Sequence, residues 1–226
     1  MSKLAGTLAL LQFGDSFFPS GAVSFSWGLE GLSDSGAVRS AADVRAFVLG
    51  QLRARWADFD RAVVVAAHGA RMSLDDVAAI DDEVEIQTPC AELRSGSRRM
   101  GEALLSVFAR LGIGEAGLYR DKVKAGLAFA HLPAMQGYLW GRAGLGQDDA
   151  VALSAHGFAT GLLGAGIRLG CLSHIDAQNI LIDAREEATR LAARPLPPIA
   201  ALSAYGIEAE IAIMRHADNS LRVFAN

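Results

Sequence analysis

The residues whose types could support catalysis are the neighbouring pair Asp15 and Ser16, together with five histidines spread along the chain. An aspartate, a serine and a distant histidine can form a nucleophilic triad, so one interpretation is an all-α hydrolase with its active site at this pair. However, the Gly-x-Ser-x-Gly pattern that exposes a nucleophile is absent here, and either side chain can instead cap a helix. Helix capping is therefore favoured over catalysis.

The sequence predicts no stably bound metal or cofactor. It lacks the Gly-x-x-x-x-Gly-Lys-Ser/Thr loop that cradles phosphates, and Cys90 and Cys171 have no zinc-site spacing. The histidines also lack ligand spacing, and His216 is the best candidate for a transient metal contact, although a solvated surface histidine is the commoner case. The histidines are His68, His131, His156, His174 and His216.

The stretch 10–32 has the pattern of two helices joined by an elbow. An apolar helical turn breaks at Gly14, and the pattern becomes helical again from about Val23. Between them, Pro19 fixes its own φ, while Gly14 and Gly21 adopt φ values that other residues avoid. We therefore expect a fixed structural joint.

Most of the remaining chain has helical periodicity, and no alternating β-branched run suggests a strand. From Ser40 onward, spacings of three and four predict one helix face, formed by Val44, Phe47, Val48, Leu52 and Trp56. The sequence predicts further helices over 58–70, from Ser73, from Thr88-Pro89 to about 110, over 115–130, 133–140 and 147–169, from Ser173, and over 199–214.

The segment 151–167 contains no Asp, Glu, Lys or Arg, and Arg168 follows it at once. Its length is at the bottom of the membrane-spanning range, and it is rich in small and polar residues, so a membrane-associated protein is the less favoured alternative. A central helix packed on all sides is favoured, with Gly157-x-x-x-Gly161 letting neighbouring helices approach closely.

The predicted fold is all-α, a single compact domain over 1–226 of about ten helices around this central apolar small-residue helix, with a flexible tail at 220–226.

Composition narrows the class of protein further. The chain has 226 residues, 51% of them hydrophobic, and a formal net charge of −4, which argues against general nucleic-acid binding. No secretion signal is evident at the N-terminus, and the two cysteines are too few for a disulfide framework. These features predict a cytoplasmic protein with no nucleic-acid partner.

The elbow carries a more specific pattern. Asp-Ser-x-x-Pro-x-Gly-x-x-Ser-x-Ser-x-Gly-Leu-Glu resembles the N-terminal signature of UreF-type urease accessory proteins. In this chain its positions are Asp15, Ser16, Pro19, Gly21, Ser24, Ser26, Gly28, Leu29 and Glu30. Three further regions are similar to the same family. They are the mid-chain helix around 97–105, the order of residue types from His131 to Arg168, and Met214-Arg-His216 with the tail that follows it. The chain departs from it at 170–173, where Pro-Leu-Gly-Gln is usual, and at Ala217, where Glu is usual.

The resemblance implies an all-helical, non-catalytic assembly factor. Proteins of this family form homodimers and bind a scaffold protein, UreD, which is also called UreH. That platform recruits the GTPase UreG, which delivers nickel to apo-urease in a GTP-dependent step. The resemblance further implies that nickel is handled by the assembly and is not stably bound by this chain.

The resemblance also implies partner-binding roles for residues near both ends of the chain. If the helix after the elbow starts near Val23, Ser26 and Glu30 share a helix face, and the family makes Glu30 the best candidate for the GTPase contact. From spacing alone, capping with an exposed Glu30 is an equally good interpretation.

Two further regions complete the predicted partner-binding set. Arg168 ends an uncharged helix, where the helix dipole favours a cation, and the family's basic residue here is linked to the GTPase. The C-terminal tail is expected to be frayed alone and to become ordered on the scaffold. The predicted partner-binding residues are Ser24, Ser26, Glu30, Arg168, Arg222 and Phe224.

Overall fold

In a computed structural model, the structure describes residues 2–19, 25–204, 206–216 and 224, without the side chains of residues 215 and 216. The predicted all-α fold is confirmed, since every regular element in this part of the chain is helical. The α-helices are α1 (Lys3–Gly14), α2 (Leu29–Asp34), α3 (Ala41–Gln51), α4 (Arg61–Gly69), α5 (Leu74–Ile86), α6 (Ala91–Arg110), α7 (Ala116–Lys124), α8 (Leu132–Arg142), α9 (Gln147–Arg168), α10 (His174–Ala192) and α11 (Ile207–His216). A π-helical segment covers Leu52–Asp60 and a 3-10 turn covers Ile199–Ala201.

The helices whose first turn is capped by a serine side chain begin where the sequence predicted. Ser40 begins α3 and Ser173 begins α10, each in a complete capping box with the residue three positions on. Ser73 begins α5 by accepting a hydrogen bond from the Asp76 N–H at 3.2 Å. These starts were predictable because a cap satisfies helix N–H groups through residues adjacent in sequence.

The segment from α3 to α4 is one continuous helix, because the π-helical segment joins them without a break. The predicted face is confirmed: Val44, Val48, Leu52 and Trp56 are fully buried, and Phe47 packs against the core while partly buried. The separate helix predicted to begin at residue 58 is wrong, because Asp58 lies inside the π-helical segment.

The predicted start of α6 at Thr88-Pro89 is wrong by two residues. The helix begins at Ala91 after Cys90, which makes no side-chain cap. Thr88 is instead used by the preceding helix, because its hydroxyl donates to the Val84 carbonyl at 2.7 Å. A threonine that finishes one helix therefore does not cap the next.

Two predicted helices are shorter than their periodicity suggested. α7 ends at Lys124 instead of residue 130, because Gly126 has a φ of 72°, in the left-handed region. The helix predicted over 199–214 is interrupted after its 3-10 turn. The Gln87 side chain there donates to the Ile199 carbonyl at 2.7 Å and accepts from the Leu202 N–H at 2.9 Å, so it takes backbone groups that a helix would pair.

The core consists of two clusters of buried apolar side chains, and α9 contributes to both of them. Leu162 and Leu163 belong to the cluster that contains Trp27 and Trp56, while Leu153 belongs to the one that contains Phe108. This confirms the predicted central apolar helix. A helix that supplies both clusters is apolar around much of its circumference.

The expectation that α9 is packed on all sides is wrong along one face. Outside the helix itself, no atom of the described residues lies within 4 Å of a Cβ built on Gly157, Gly161 or Gly164. These glycines line a cavity of about 320 Å³ beside the elbow. Close helix approach occurs instead at Gly166, whose added Cβ would meet the side chains of Leu172 and Val44.

In the part of the chain that the structure describes, α9 is the one helix long and apolar enough to cross a membrane. Half of its most apolar stretch is buried inside the molecule. A core helix passes the same test of length and composition, so α9 needs no membrane to account for its apolar character.

Candidate functional site

The elbow begins with a turn that Asp15 organises. The Asp15 carboxylate accepts a hydrogen bond from the Phe17 N–H at 2.6 Å, and its carbonyl accepts one from the Phe18 N–H at 2.9 Å. Phe18 is buried against Phe13 with ring centroids 5.4 Å apart, so the turn is anchored in the core. Asp15 therefore stabilises the end of α1 through a turn that its own side chain closes.

The Ser16 hydroxyl has no hydrogen-bond partner among the described residues, and its side chain is exposed. The two buried histidines are engaged elsewhere: His131 Nε2 pairs with Glu85 at 2.8 Å and His68 Nε2 with the Leu145 carbonyl at 2.9 Å. The described residues therefore do not assemble a triad at Ser16.

The helix after the elbow begins later than the predicted Val23. Trp27 has a φ of 54° and Gly28 a φ of 88°, and α2 starts only at Leu29 because two left-handed residues cannot continue a helix. Ser26 consequently precedes α2 and does not share a helix face with Glu30. Its hydroxyl instead accepts the Glu30 N–H at 3.4 Å.

Gly28, just before α2, and Gly31, within it, allow α2 to pack closely against α11. A Cβ on Gly28 would lie 2.6 Å from the Ala209 carbonyl oxygen, and one on Gly31 would lie 2.7 Å from the Ala212 carbonyl oxygen. Both positions require glycine for this close backbone approach, and Gly28 requires it for its φ as well. The elbow signature therefore fixes how α2 packs on the last helix.

Three of the predicted partner-binding residues meet at the end of α9, and we call them the Glu30–Arg168 cluster (Glu30, Arg168 and Phe224). The Phe224 N–H donates to Glu30 Oε2 at 3.2 Å, and the Arg168 guanidinium lies over the Phe224 ring, 4.4 Å from its centroid. Phe224 is buried, although a frayed tail was expected, and Arg168 is exposed. Residues from three distant parts of the chain are thus brought together.

Burial at this cluster differs from the predicted exposed patch. Ser26 is 0% exposed and Glu30 is 3% exposed, so the chain's own residues cover both. Arg168 therefore forms the accessible part of the cluster, while Glu30 supports it from beneath. Ser24, Arg222 and Gly21 lie outside the described residues, and Pro19 is exposed at the edge of the described elbow.

Sequence reasoning missed a buried charged pair beneath the elbow. Arg55 and Asp60 are each 4% exposed, and Arg55 Nε lies 3.3 Å from Asp60 Oδ2. The Arg55 guanidinium also lies over the Trp27 ring, 4.6 Å from its centroid. The available signal was the five-residue spacing of these opposite charges, which equals the hydrogen-bond spacing of a π-helix.

A second buried polar cluster holds the chain between α7 and α8. Asp81 accepts hydrogen bonds from the N–H groups of Phe129 at 2.8 Å, Ala130 at 2.6 Å and His131 at 2.7 Å, and from the Tyr119 hydroxyl at 3.1 Å. Ala130 has a φ of 61°, so this carboxylate stabilises a strained conformation. It acts as a structural clamp.

The neighbouring Glu85 links this clamp to α6. Its carboxylate pairs with His131, with Arg98 Nε at 2.9 Å and with Arg94 Nε at 3.2 Å. Partial burial works to raise the pKa of Glu85, but the bonds from Arg98 and His131 outweigh it and hold that pKa below its usual range. Burial lowers the pKa of His131, and Asp81 and Glu85 only partly oppose this.

Helix α1 carries an apolar stripe that is exposed among the residues that the structure describes. Leu4, Leu8 and Leu11 are 70%, 56% and 64% exposed, and they follow the spacing of one helix face. Phe17, in the turn that follows the helix, is a further exposed apolar side chain, at 94%. Aligned apolar side chains of this kind mark an interaction surface.

No group of three or more histidine, cysteine, aspartate or glutamate side chains suited to a metal ion occurs in residues 2–19, 25–204 and 206–214. His216, the predicted transient contact, has its side chain outside this part.

Comparison with known proteins identifies relatives over nearly the full chain. The UreF family model matches residues 38–185. The urease accessory protein UreF of Trichodesmium erythraeum (strain IMS101) is 36% identical over 187 residues, which cover 80% of this chain and 79% of that protein. The proteins of the same name from Yersinia enterocolitica and Yersinia pseudotuberculosis serotype I are each 28% identical over 225 residues, which cover 97% of both chains.

Proposed function

The chain belongs to the UreF family of urease accessory proteins, and from this premise we propose that it is a non-catalytic scaffold in assembly of the nickel centre of urease. In this role it bridges a UreD/UreH-type scaffold protein and a UreG-type GTPase, and it regulates GTP-dependent nickel insertion into apo-urease. It acts in the cytoplasm, and the assembly handles nickel without a stable site in this chain.

The observation that carries the proposal is the Glu30–Arg168 cluster. Arg168 offers an exposed planar cation at the C-terminus of a long helix, and arginine is well suited to forked contacts with a carboxylate or phosphate. Glu30 and Phe224 hold the surface behind it through one hydrogen bond and one ring contact. We assign the GTPase contact to Arg168 and the positioning of that surface to Glu30.

The test is urease activation in cells that carry the urease operon with this gene deleted. Wild type restores activity, and Arg168→Ala lowers GTPase binding and urease activation roughly tenfold, as for an interface arginine at a hot spot. Arg110→Ala is the matched control, because Arg110 is also exposed in the last turn of a helix. Full urease activity after deletion of the gene would refute the proposal.

Glu30→Ala provides a second variant in the same cells. Glu30 lies beneath the surface, so its loss is expected to weaken GTPase binding without removing a direct contact. If Glu30→Ala restores urease as well as wild type does, the assignment to Glu30 fails while the scaffold role stands.

The C-terminal tail is proposed to bind the scaffold protein. Phe224 is buried against the chain beneath the exposed Arg168, so the tail is held at the surface next to an arginine, a residue type that dominates many protein interfaces. Deletion of 221–226 is expected to abolish co-purification with the UreD/UreH-type protein while circular dichroism shows unchanged helix content. Unchanged co-purification would refute this part of the proposal.

We further propose that the chain forms a homodimer through the apolar stripe on α1. Leu4, Leu8, Leu11 and Phe17 form a surface that a second copy can cover with the same residues, as a two-fold interface requires. A dimer presents two copies of the Glu30–Arg168 cluster to its partners.

A further inference from the structure

The π-helical segment places a charged pair inside the apolar core. Arg55 and Asp60 are 4% exposed, and Trp56 and Phe59 between them are fully buried. A regular helix would place Asp60 against residue 56, whereas the wider π turn brings it to Arg55. Segments of this kind occur frequently at functional sites, which makes the pair worth explaining.

Arg55 contacts the elbow directly. Its guanidinium lies between two aromatic rings, 4.6 Å from the Trp27 centroid and 5.0 Å from the Phe59 centroid. Trp27 packs further on Phe25 at 5.0 Å and on Phe158 at 5.3 Å. The Trp27 ring is therefore held by a cation on one side and by aromatic neighbours elsewhere.

Trp27 stands at the point where the chain turns into α2. It precedes Gly28, the residue before the first turn of α2, and its φ of 54° is unfavourable for a tryptophan. Such a conformation persists only when its surroundings over-determine it. A contact that fixes the Trp27 ring thereby fixes the direction in which α2 presents Glu30.

Stability alone does not explain a buried ion pair in this place. Removing two charges from water is costly, and well-packed apolar residues of similar size usually serve a core equally well. Asp60 Oδ1 has no hydrogen-bond partner among the described residues, and burial raises the pKa of the Asp60 carboxyl despite the Arg55 charge. The pair therefore has the cost of a core charge without full hydrogen bonding.

We propose that Arg55, held by Asp60, is a positioning residue that orients Trp27 and, through it, the α2 surface at the Glu30–Arg168 cluster that the GTPase partner recognises. This inference rests on the proposed function. Arg55 is only 4% exposed, so it acts on the partner-binding surface through Trp27 and not by direct contact. The flat guanidinium is required, since it stacks on an aromatic ring and pairs with a carboxylate at once.

The experiment uses Arg55→Met, the double variant Arg55→Met with Asp60→Leu, and Arg55→Lys. The single Arg55→Met variant leaves Asp60 uncompensated, so its thermal midpoint is expected to fall. The double variant removes both charges and keeps apolar volume, so its midpoint is expected to return near that of wild type. Arg55→Lys keeps the charge and loses the planar stack, and it serves as the second test if the double variant is unstable.

Three measurements are made on each full-length variant: binding to the scaffold protein, GTPase binding to that complex, and hydrogen exchange of the amides in 25–34. In the double variant and in Arg55→Lys we expect unchanged scaffold binding, faster exchange in 25–34, and GTPase binding weakened roughly tenfold. The matched control is Arg53→Met, because Arg53 is an exposed arginine of the same segment and its partner Glu187 keeps a second ion pair with Arg190. The control is expected to bind the GTPase as wild type does.

The outcomes separate the inference from the function on which it rests. If a stable double variant binds the GTPase as tightly as wild type, the inference is overturned and the pair is only structural. If the wild-type complex itself fails to bind the GTPase, the proposed function is overturned. In that case hydrogen exchange in 25–34 still tests whether Arg55 positions α2. Unchanged exchange in the variants overturns this positioning role.

Discussion

The Asp81 carboxylate accepts backbone hydrogen bonds that helix carbonyl groups would accept if the helix were longer. Its two oxygens accept hydrogen bonds from the N–H groups of three successive residues, so these backbone donors are paired just before α8 begins. Glu85 extends this clamp to Arg98 on α6 and to the buried His131 ring. Titration of these groups is therefore linked to the stability of the fold.

Acid is expected to destabilise the protein through His131 and Glu85. Both folded-state pKa values are lowered, so the unfolded chain binds more protons, and stability is lost as pH falls below about 6.5 for histidine and then through the carboxylate range. His131→Gln is expected to flatten the dependence of unfolding free energy on pH between 7.5 and 5.5, measured by urea denaturation. Burial also lowers the pKa of His156, so the comparison is made in a His156→Gln background. An unchanged pH dependence would contradict the assignment to His131.

Among the helices, α9 shows that glycine can have opposite roles in similar sequence contexts. Gly157, Gly161 and Gly164 face a cavity, whereas Gly137 of α8 packs against the backbone of α4, where an added Cβ would meet the Val64 carbonyl oxygen. A mid-helix glycine is unfavourable relative to alanine by about 1 kcal/mol. Of these four glycines, only Gly137 is explained by close packing between helices.

Alanine substitution is therefore expected to have opposite effects at these two positions. Gly161→Ala adds a methyl group in open space and is expected to raise unfolding free energy by up to about 1 kcal/mol. Gly137→Ala forces the backbones of α8 and α4 apart and is expected to lower it by about 1–3 kcal/mol. Urea denaturation of both variants checks this, and a destabilising Gly161→Ala would show that the cavity face is packed.

For the whole molecule, the uncovered surfaces lie on different elements. The apolar stripe is on α1, while the Glu30–Arg168 cluster combines α2, the end of α9 and Phe224. Along the chain, residues 15–28 connect the two, since α1 ends at Gly14 and α2 begins at Leu29. We infer that self-association and partner binding use separate surfaces with a common support.

This separation predicts that dimerisation can be removed without unfolding the chain. Leu8→Arg places a charge at the centre of the apolar stripe and is expected to convert the proposed dimer to a monomer in light scattering after size exclusion. Leu118→Arg is the control, because Leu118 is also an exposed helical leucine, at 57%. A dimer that survives Leu8→Arg would place the self-contact elsewhere.

Local patterns in the sequence were sufficient for much of the fold. The capping serines Ser40, Ser73 and Ser173, the buried face at Val44, and the apolar run of α9 all depend on residues a few positions apart. The elbow signature and the UreF resemblance are likewise properties of residue types at fixed spacing. The all-α class and the family therefore followed from the sequence alone.

The tertiary structure decided what those residues do. The burial of Glu30 depends on residues far apart in the chain. So do the contact of Arg168 with Phe224 and the hydrogen bonds that Asp81 accepts from the residues just before α8. The pairing of Arg55 with Trp27 likewise depends on a π-helical turn that apolar periodicity does not reveal. Helix periodicity and capping report which groups one segment can satisfy, whereas burial and long-range pairing depend on which other segments arrive to cover them.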